Sequence, residues 1–314
     1  MDGVLVIDKP VGPTSHDVVA RMRRILEERR VGHTGTLDPG ASGVLPLVIG
    51  RATRLARFLS ASEKRYEAVI RVGVATDSYD AEGTRLANTW DGRRPSREAI
   101  DAALDAFRGS FLQRPPAYSA KKIAGRRSYK TARAARSGRS DLPDPSRLPA
   151  AVAVTVHRLE VLQLEDNLLT LRVDCSAGFY VRSLAHDLGQ RLGTGAHLAG
   201  LRRTRSGDFI LADALPLASV EQNPDLARRA IVPLAQMLPR WSSVVLTDDG
   251  ARRVAHGRDV GPEDFAAAPA PGARPDLSTA PPPAVRLLDR RGELIALAEP
   301  AQSPGLLHPS VVLV

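Results

Sequence analysis

The chain has 314 residues, 43% of them hydrophobic, and is long enough for two domains. It shows neither a signal-peptide layout nor an apolar run of the roughly 18 residues that cross a membrane, so we expect a cytoplasmic protein. Its single cysteine, Cys175, excludes an intrachain disulfide, and the seven histidines lack metal-ligand spacing, so we expect no metal site. The formal net charge of +9 favours a polyanionic partner, nucleic acid first and a membrane surface second.

The first predicted elements are a short buried strand over residues 4–7 and a helix that begins after Thr14. Thr14 and Asp17 have the spacing of a capping box, in which each side chain bonds the backbone N–H of the other residue. Val18, Met22 and Leu26 recur at helical spacing and indicate the buried face. Five arginines between residues 21 and 30 leave a basic flank.

A glycine-rich stretch follows at residues 32–43 and contains a single acid, Asp38. Its four glycines allow tight turns and close approach to a ligand, and the apolar run 44–49 predicts that it emerges from the core. It is not a phosphate-binding NTPase loop, because Ala41 stands where that loop needs a lysine. Asp38 is then either a reactive carboxylate or a helix N-cap with Pro39 at the first helical position. Taken alone, the residues favour the cap.

The elements beyond this stretch alternate between helix and strand. A helix is predicted at 51–59, followed by a strand at 66–74 with Tyr66 at the open end of an apolar row. Alternation alone makes Tyr66 an ordinary edge or core aromatic. The acidic stretch 77–83 lacks a calcium-loop pattern and is predicted to be a solvated turn. Further predictions are a helix at 96–107, paired strands at 152–164 and 168–175, and a helix with Leu184, Leu188 and Leu192 on one stripe.

A basic insertion interrupts the elements at about residues 108–150. Residues 121–140 carry eight lysines and arginines and no acid. Uncompensated like charges repel one another unless an anion neutralises them, which favours contact with nucleic-acid phosphates over a merely solvated face. A second basic cluster begins at Arg202. The predicted phosphate contacts are Lys121, Lys122, Arg126, Arg127, Arg202 and Arg203.

The character of the chain changes past Pro239. Apolar runs at 244–246 and 284–298, the second with a turn at 289–292, indicate a small, mostly β module. Between them, residues 261–283 are rich in Pro, Ala and Gly and are predicted to be a flexible insertion. We therefore divide the chain into residues 1–240, which include the basic insertion, and residues 241–314.

A series of short motifs runs through residues 1–214. They are Asp8-Lys9-Pro10-x-Gly12, Gly32-His33-Thr34-Gly35-Thr36-Leu37-Asp38-Pro39-x-Ala41-x-Gly43, Lys64-Arg65-Tyr66, Pro115-Pro116-x-Tyr118-Ser119-Ala120, Cys175-Ser176-x-Gly178-x-Tyr180-x-Arg182 and Gly195-Ala196-His197-Leu198-x-x-Leu201-Arg202-Arg203. In this order they resemble the bacterial tRNA pseudouridine synthase B (TruB) family. The tail at residues 246–257 resembles the opening of a PUA-type RNA-binding domain, although the Pro-rich interruption departs from that pattern.

The resemblance implies an α+β fold: a mixed, largely antiparallel sheet flanked by helices and loops, plus a small, mostly β, PUA-like C-terminal domain. It assigns the catalytic, nucleophilic role to Asp38, with support from Arg182 and Lys9. The implied uridine contacts are His33, Tyr66, Tyr180 and Leu201. An adjacent guanidinium would keep the Asp38 carboxylate ionised. Phe179 departs from the family pattern, in which a smaller residue stands at that position.

The implied activity is isomerisation of uridine 55 in the T loop of tRNA, without a guide RNA and with the base flipped into a pocket. The reaction loses no atoms and changes no oxidation state, so we expect no cofactor, nucleotide or metal. The expected partner is the T-stem loop of tRNA, with no membrane, and we expect a monomer.

Three alternatives remain at this stage. The first is an RNA-binding or tRNA-folding chaperone in which catalysis is secondary, and the second is a guide-RNA-dependent synthase of the dyskerin type. The third, a hydrolytic glycosidase, needs a second carboxylate, and no acid lies within twenty residues after Asp38. Two first steps stay open for the synthase: attack of Asp38 on the sugar carbon, or removal of a ribose proton.

Overall fold

The computed structural model describes residues 1–87, 90, 92–116, 122–123, 126–127, 149–267 and 284–314. For residues 122–123, 126–127 and 267 it describes the backbone alone. Lys121, most of the two predicted insertions and residues 117–120 of the Pro-Pro motif therefore lie outside the described residues.

The chain alternates short helices and strands up to residue 240 and then forms a second, smaller set. The first set is β1 (Gly3–Lys9), α1 (Ser15–Leu26), β2 (Val31–His33), β3 (Ala41–Ile49), a 3-10 helix (Gly50–Leu55), α2 (Ala56–Ser60), β4 (Lys64–Val72), α3 (Arg97–Asp105), β5 (Gly109–Gln113), β6 (Lys122–Ile123), β7 (Arg126–Arg127), β8 (Val152–Glu165), β9 (Leu168–Cys175), α4 (Val181–Arg191), β10 (Ala196–Ser206), β11 (Phe209–Ile210), a 3-10 helix (Leu211–Asp213), β12 (Leu215–Pro216), α5 (Leu217–Gln222), α6 (Pro224–Arg229), β13 (Val232–Pro233) and a 3-10 helix (Leu234–Gln236). The second set is β14 (Ser243–Leu246), α7 (Asp248–Ala255), a 3-10 helix (Pro262–Asp264), β15 (Phe265–Ala267), β16 (Val285–Leu288), β17 (Leu294–Pro300) and β18 (Leu307–Val312).

One mixed sheet forms the centre of the larger domain, with described strands in the order β12-β1-β3-β10-β4-β9-β8-β5. Most neighbours are antiparallel, whereas β1 and β12, and β3 and β10, run parallel. Strand β10 lies in the middle, and its Leu201 pairs with Ala41 of β3 and with Ala68 of β4. The predicted α+β fold with a mixed, largely antiparallel sheet is confirmed.

Helix α1 begins at the predicted capping box. The Thr14 hydroxyl accepts a hydrogen bond from the Asp17 backbone N–H, and the Asp17 carboxylate accepts one from the Thr14 N–H. Val18, Met22 and Leu26 are buried and pack on the apolar side chains of β1 and β3. The predicted buried face of this helix is confirmed.

Two hydrophobic cores meet along β4 and β10. The first core packs α3 and α4 on β4, β8, β9 and β10. The second core packs α1, α5 and α6 on β1 and β3. Tyr66 and Leu201 each contact both cores, so these two side chains lie at the seam between them.

The C-terminal domain is a five-stranded sheet in the order β15-β14-β16-β17-β18, together with helix α7. A third apolar cluster joins it to the larger domain, where Leu55 packs in one group with Leu297 and Leu313. Arg51 ties the same two parts, because its Nη1 donates to the Leu313 carbonyl oxygen at 2.7 Å and its Nε to Asp2 Oδ2 at 2.9 Å. The predicted small, β-rich C-terminal domain is confirmed.

The starts of both predicted insertions need correction. Strand β5 pairs with β8 in the main sheet, so the basic insertion begins after Gln113 rather than at residue 108. Residues 262–267 form a 3-10 turn and an edge strand, in which Phe265 packs against the C-terminal core and the Asp264 carboxylate accepts a bond from the Gly261 N–H. In the described part of the chain, no helix has the length and apolar composition to cross a membrane.

Candidate active site

The glycine-rich stretch forms β2, a loop over residues 34–40 and the start of β3. Strands β2 and β3 pair antiparallel. In the loop, the Asp38 carbonyl oxygen accepts a hydrogen bond from the Ala41 N–H at 3.0 Å, which is the i to i+3 bond of a β-turn with Pro39 at its second position. The interpretation of Asp38 as a helix N-cap is wrong, because this turn leads directly into a strand.

The residue before Asp38 is anchored in the second core. Leu37 is buried there, and both of its backbone polar atoms bond the buried hydroxyl of Ser15. Ser15 Oγ donates to the Leu37 carbonyl oxygen at 3.0 Å and accepts from the Leu37 N–H at 2.8 Å. The Asp38 side chain, which is 48% exposed, therefore projects from a fixed point. The sequence analysis did not identify Ser15, since one hydroxyl in a capped helix carries no signal of a distant partner.

Arg182 reaches Asp38 from the first turn of α4. Its side chain is 8% exposed, and its Nε lies 3.1 Å from Asp38 Oδ2. Its Nη1 lies 3.3 Å from Asp80 Oδ2 and donates to the Ser78 carbonyl oxygen at 3.2 Å. One guanidinium therefore bridges two carboxylates, the more exposed Asp38 and the less exposed Asp80.

Asp80 belongs to this arrangement, although the sequence analysis places it in a solvated turn. Its Oδ1 accepts a hydrogen bond from Ser78 Oγ at 2.6 Å. The neighbouring Tyr79 has a positive φ of 66° and stacks on the His186 ring of α4, with centroids 3.8 Å apart. This stack docks the acidic turn on the helix that carries Arg182. The turn-rich composition of residues 77–83 was the available signal, and composition does not specify a partner.

Tyr66 and Leu201 lie at the seam of the two cores, beside the loop over residues 34–40. Leu201 pairs with Ala41, three residues after Asp38. Burial raises the pKa of the Tyr66 phenol, and the nearby Arg203 guanidinium partly opposes this shift. The phenol is therefore protonated at neutral pH, and it can donate a proton but not act as a phenolate base.

Tyr180 and His33 join the site through short stretches of chain. Tyr180 stands two residues before Arg182, immediately before α4, and its side chain is partly buried. His33 ends β2, and its Nδ1 accepts a hydrogen bond from the Gly35 N–H at 3.3 Å. Its ring packs edge-on against that of His16, with centroids 5.3 Å apart.

Lys9 lies behind the loop and has no exposed surface. Its Nζ donates to the carbonyl oxygens of Pro10 and Pro13, each at 2.8 Å. Burial lowers its pKa to about 8, while the Asp38 carboxylate acts in the opposite direction. These contacts fit the supporting role that the sequence analysis assigns to Lys9.

The two neighbouring arginines of β10 have different environments. Arg203 is 1% exposed, and it donates to the Val44 carbonyl oxygen at 2.7 Å and to that of Gly35 at 3.0 Å. The prediction that Arg203 contacts phosphate is corrected, because its guanidinium is enclosed and bonds the backbone on both sides of Asp38. Arg202 has a partly exposed side chain that pairs with Asp8 at 2.7 Å, and its phosphate contact stays a prediction.

The other predicted phosphate contacts lie in the basic insertion. Lys122, Arg126 and Arg127 belong to the two-stranded hairpin of β6 and β7, whose backbone alone is described. Lys121 lies outside the described residues. These four contacts stay predictions.

The lowered pKa values of two buried lysines predict how the stability of the fold depends on pH. Burial lowers the pKa of Lys9 and of Lys64 to about 8, against about 10.4 for an exposed lysine. Between these values the unfolded chain holds protons that the folded chain has released, so raising the pH favours the folded chain. We expect the free energy of unfolding to rise from about pH 8 to about pH 9 and the substitution Lys9→Met to flatten that slope. Urea unfolding at several pH values measures it.

The window for this measurement ends near pH 9 because burial raises the pKa of the Cys175 thiol to about 12. Above the pKa of an exposed thiol, about 8.5, the unfolded chain loses that proton first, which opposes the lysine effect. The substitution Lys130→Met, in the basic insertion, is the control. A slope that Lys9→Met leaves equal to that of this control would contradict the prediction.

Two protein-family models match consecutive parts of the chain, which together run from residue 23 to residue 239. One, described as the N-terminal domain of TruB family pseudouridylate synthases, matches residues 23–181. The other, described as the tRNA pseudouridylate synthase B C-terminal domain, matches residues 182–239. Together they cover the main sheet except β1, the loop that carries Asp38, and Arg182.

Individual proteins agree with these matches. The tRNA pseudouridine synthase B of Solibacter usitatus is 46% identical over 315 residues, which covers 100% of both chains. That of Opitutus terrae is 46% identical over 242 residues, 76% of this chain and 95% of that protein. A chain of the crystal structure of a Cbf5–Nop10–Gar1 complex has a TM-score of 0.72 at 27% identity, covering 99% of this chain and 85% of that one. The present chain therefore belongs to the TruB family of pseudouridylate synthases.

Proposed function

We propose that this chain isomerises uridine 55 in the T loop of tRNA to pseudouridine, acting alone without a guide RNA. The observation that carries the proposal is a partly exposed carboxylate on an anchored turn, Asp38, within 3.1 Å of the Nε of a buried arginine, Arg182. Membership of a family of pseudouridylate synthases supports the reaction type. The names of relatives that are 46% identical support tRNA as the substrate.

The chemistry explains why a single carboxylate is enough. The reaction replaces the C1′–N1 bond of uridine by a C1′–C5 bond, while C5 loses one proton and N1 gains one. Oxidation states and atoms are conserved, so no cofactor or metal is required. Asp38 either attacks C1′ or removes a ribose proton, and both steps need its ionised form.

The base must leave the RNA stack to reach this carboxylate, so we assign the seam of the two cores as the pocket for a flipped uracil. Leu201 supplies an apolar wall, Tyr180 a stacking face and Tyr66 a hydroxyl. Because the Tyr66 phenol is protonated at neutral pH, it relays the C5 proton only by passing on its own proton in the same step. His33 supports the displaced RNA.

The two RNA-related alternatives differ in substrate and in the need for catalysis. A guide-RNA-dependent synthase is favoured by the structural similarity to a chain of the Cbf5–Nop10–Gar1 complex, but identity to it is 27% against 46% for the relatives named as tRNA enzymes. A chaperone would not need the Asp38–Arg182 pair. We further propose that residues 1–240 are the catalytic domain, that residues 241–314 form a PUA-like RNA-binding domain, and that the protein is a cytoplasmic monomer.

Incubation with an unmodified tRNA transcript, without guide RNA or cofactor, tests the proposal. We expect pseudouridine at position 55 and none in a transcript with cytidine at that position. An isolated T-stem loop should also be converted, because the site is expected to read that hairpin. Product only in the presence of a guide RNA, or no product at all, would overturn the proposal.

The basic insertion predicts the salt dependence of tRNA binding. Each phosphate contact made by a lysine or arginine releases counterions, so log Kd changes with log salt by about one unit per contact. We expect Lys121→Gln combined with Lys122→Gln to weaken binding and to lower this slope by about 1–2 units. Binding titrations between low and moderate salt measure it.

The matched control for this prediction is the pair Arg228→Gln and Arg229→Gln at the end of α6. It removes the same charge, so any difference between the two double variants reports position rather than net charge. Equal slopes for both would contradict phosphate contact in the insertion.

A further inference from the structure

A buried glutamine side chain holds the backbone of Tyr180. Gln113 is the last residue of β5 and is 1% exposed. Its Nε2 donates to the Tyr180 carbonyl oxygen at 3.0 Å, and its Oε1 accepts from the Tyr180 N–H at 2.8 Å. Both polar groups of the amide are thus used on the two backbone polar atoms of one residue, 67 positions away in the chain.

This pairing fixes the peptide planes on both sides of Tyr180. The tyrosine stands where extended chain changes to helix α4, with φ −112° and ψ 110°. The Tyr180 carbonyl oxygen also accepts the first backbone hydrogen bond of α4, from the Leu184 N–H at 3.2 Å, and the glutamine amide adds its own pair of bonds in the manner of a neighbouring strand. Since the direction of the Cα–Cβ bond follows from the backbone, the two bonds from Gln113 help to orient the Tyr180 side chain.

A third hydrogen bond joins the same two segments without contacting Tyr180. Ser183 Oγ, in the first turn of α4, donates to the Arg114 carbonyl oxygen at 2.8 Å. The end of β5 is therefore fastened to α4 at two points, one through the backbone of Tyr180 and one beyond it. This neighbouring bond provides an internal control for any role of Gln113.

We propose that Gln113 is a positioning residue for the isomerisation, which holds the Tyr180 ring in its stacking orientation toward the flipped uracil. The inference rests on the proposed function, because it assigns the ring of Tyr180 to the uridine. Gln113 acts on the rate of the chemical step through Tyr180, and it does not contribute to the affinity for tRNA.

The substitution Gln113→Glu tests this role by changing a single group. A neutral glutamic acid reproduces both hydrogen bonds, whereas its carboxylate loses the donor and faces the Tyr180 carbonyl oxygen. At about pH 8 we expect the single-turnover rate with saturating tRNA to fall about 10-fold to 100-fold, because small displacements of an aligned group have effects of that size. Burial favours the neutral acid, so the rate should recover relative to wild type as the pH falls toward about 6. The Kd for tRNA should stay within about 3-fold, since no phosphate contact changes.

Three variants distinguish positioning from simple support. Gln113→Met lacks both hydrogen bonds and carries no charge, so its rate should be low with the pH profile of wild type. Ser183→Ala removes the neighbouring bond and should keep the wild-type rate. In a Tyr180→Ala background, Gln113→Glu should cause no further loss, because a residue that acts through Tyr180 has nothing left to position.

The result also has a readout that does not need activity. Among the five tyrosines, the ring resonances of Tyr180 can be assigned with Tyr180→Phe in protein labelled at tyrosine. They should shift with pH in Gln113→Glu and not in Ser183→Ala. Additive losses in the Tyr180→Ala background, or a loss in Ser183→Ala equal to that in Gln113→Glu, would overturn the inference. Absence of pseudouridine with the wild-type protein would instead overturn the proposed function. The resonance shifts would still test whether Gln113 orients the Tyr180 ring.

Discussion

Replacement of Asp38 by asparagine is expected to abolish pseudouridine formation while the Kd for tRNA changes by no more than a few-fold. The amide keeps the size and the hydrogen-bonding reach of the side chain, but it cannot attack C1′ or accept a ribose proton. Loss of the group that reacts is expected to lower the rate by at least about 10⁴-fold. Single-turnover assays with excess enzyme, together with filter binding of the same tRNA, separate the rate from the affinity.

Glu82→Gln is the matched control for Asp38→Asn. Glu82 is an exposed acid next to the catalytic loop, since a side-chain carbon added at Gly40 would lie 3.8 Å from its Oε1. Its substitution removes the same charge from the same neighbourhood and should leave the rate within about 3-fold, as expected of surface positions that touch no reacting group. Measurable turnover by Asp38→Asn would refute the assignment of Asp38 as the reacting group. An equal loss of rate in both variants would indicate a general electrostatic effect.

Local patterns predicted most of the elements around this carboxylate. The Thr14–Asp17 capping box placed the start of α1, and the alternation after Tyr66 placed β4. Both signals depend on contacts within a few residues, so they are readable without the fold. The misleading local signal was the pair Asp38-Pro39, which favours a helix cap but is also typical of a β-turn. Pairing of β3 with β1, β2 and β10 decided between them, and that pairing is not local.

The parts of the site that the sequence did not reveal are all contacts between distant residues. Asp80 lies 42 positions after Asp38 in the numbering of the chain, yet both carboxylates lie on the guanidinium of Arg182. The absence of acids in the twenty residues after Asp38 therefore does not exclude a second carboxylate near it, since distance along the chain is not distance in space. What speaks against a second acid at Asp80 is its environment, because Arg182 and Ser78 both donate to its carboxylate.

Arg203 is a residue for which the sequence predicted a surface contact and the fold shows an enclosed one. A basic cluster on a strand is expected to face water and phosphate, and nothing in the sequence distinguishes Arg202 from Arg203. Successive residues of a strand face opposite sides of the sheet. The fold thus places one guanidinium at the surface beside Asp8 and encloses the other under the catalytic loop. Which side is enclosed depends on the packing of β3 and β4 against β10.

Replacement of Arg182 by lysine is expected to lower the rate of isomerisation about 10²-fold to 10³-fold, the usual effect of losing one aligned donor in an active site. The guanidinium contacts Asp38 through Nε and Asp80 through Nη1, two different nitrogens of one rigid plane. A lysine ammonium is a single point of charge and cannot hold both carboxylates in that geometry. The Kd for tRNA should change little, because the Arg182 side chain is only 8% exposed and is therefore poorly accessible to an RNA phosphate.

The stability of Arg182→Met separates the two ion pairs. Without the cation, Asp80 keeps a carboxylate that is only 24% exposed and has lost its arginine partner, while Asp38 remains more hydrated. We expect a loss of about 2–3 kcal/mol in the free energy of unfolding, below the 3–5 kcal/mol of a fully buried pair because the Asp38 side chain is 48% exposed. Adding Asp80→Asn to Arg182→Met should restore part of this loss, since it removes the uncompensated charge. Urea unfolding of the two single variants and the double variant forms the cycle, and strictly additive losses would show that Asp80 and Arg182 do not act as a pair.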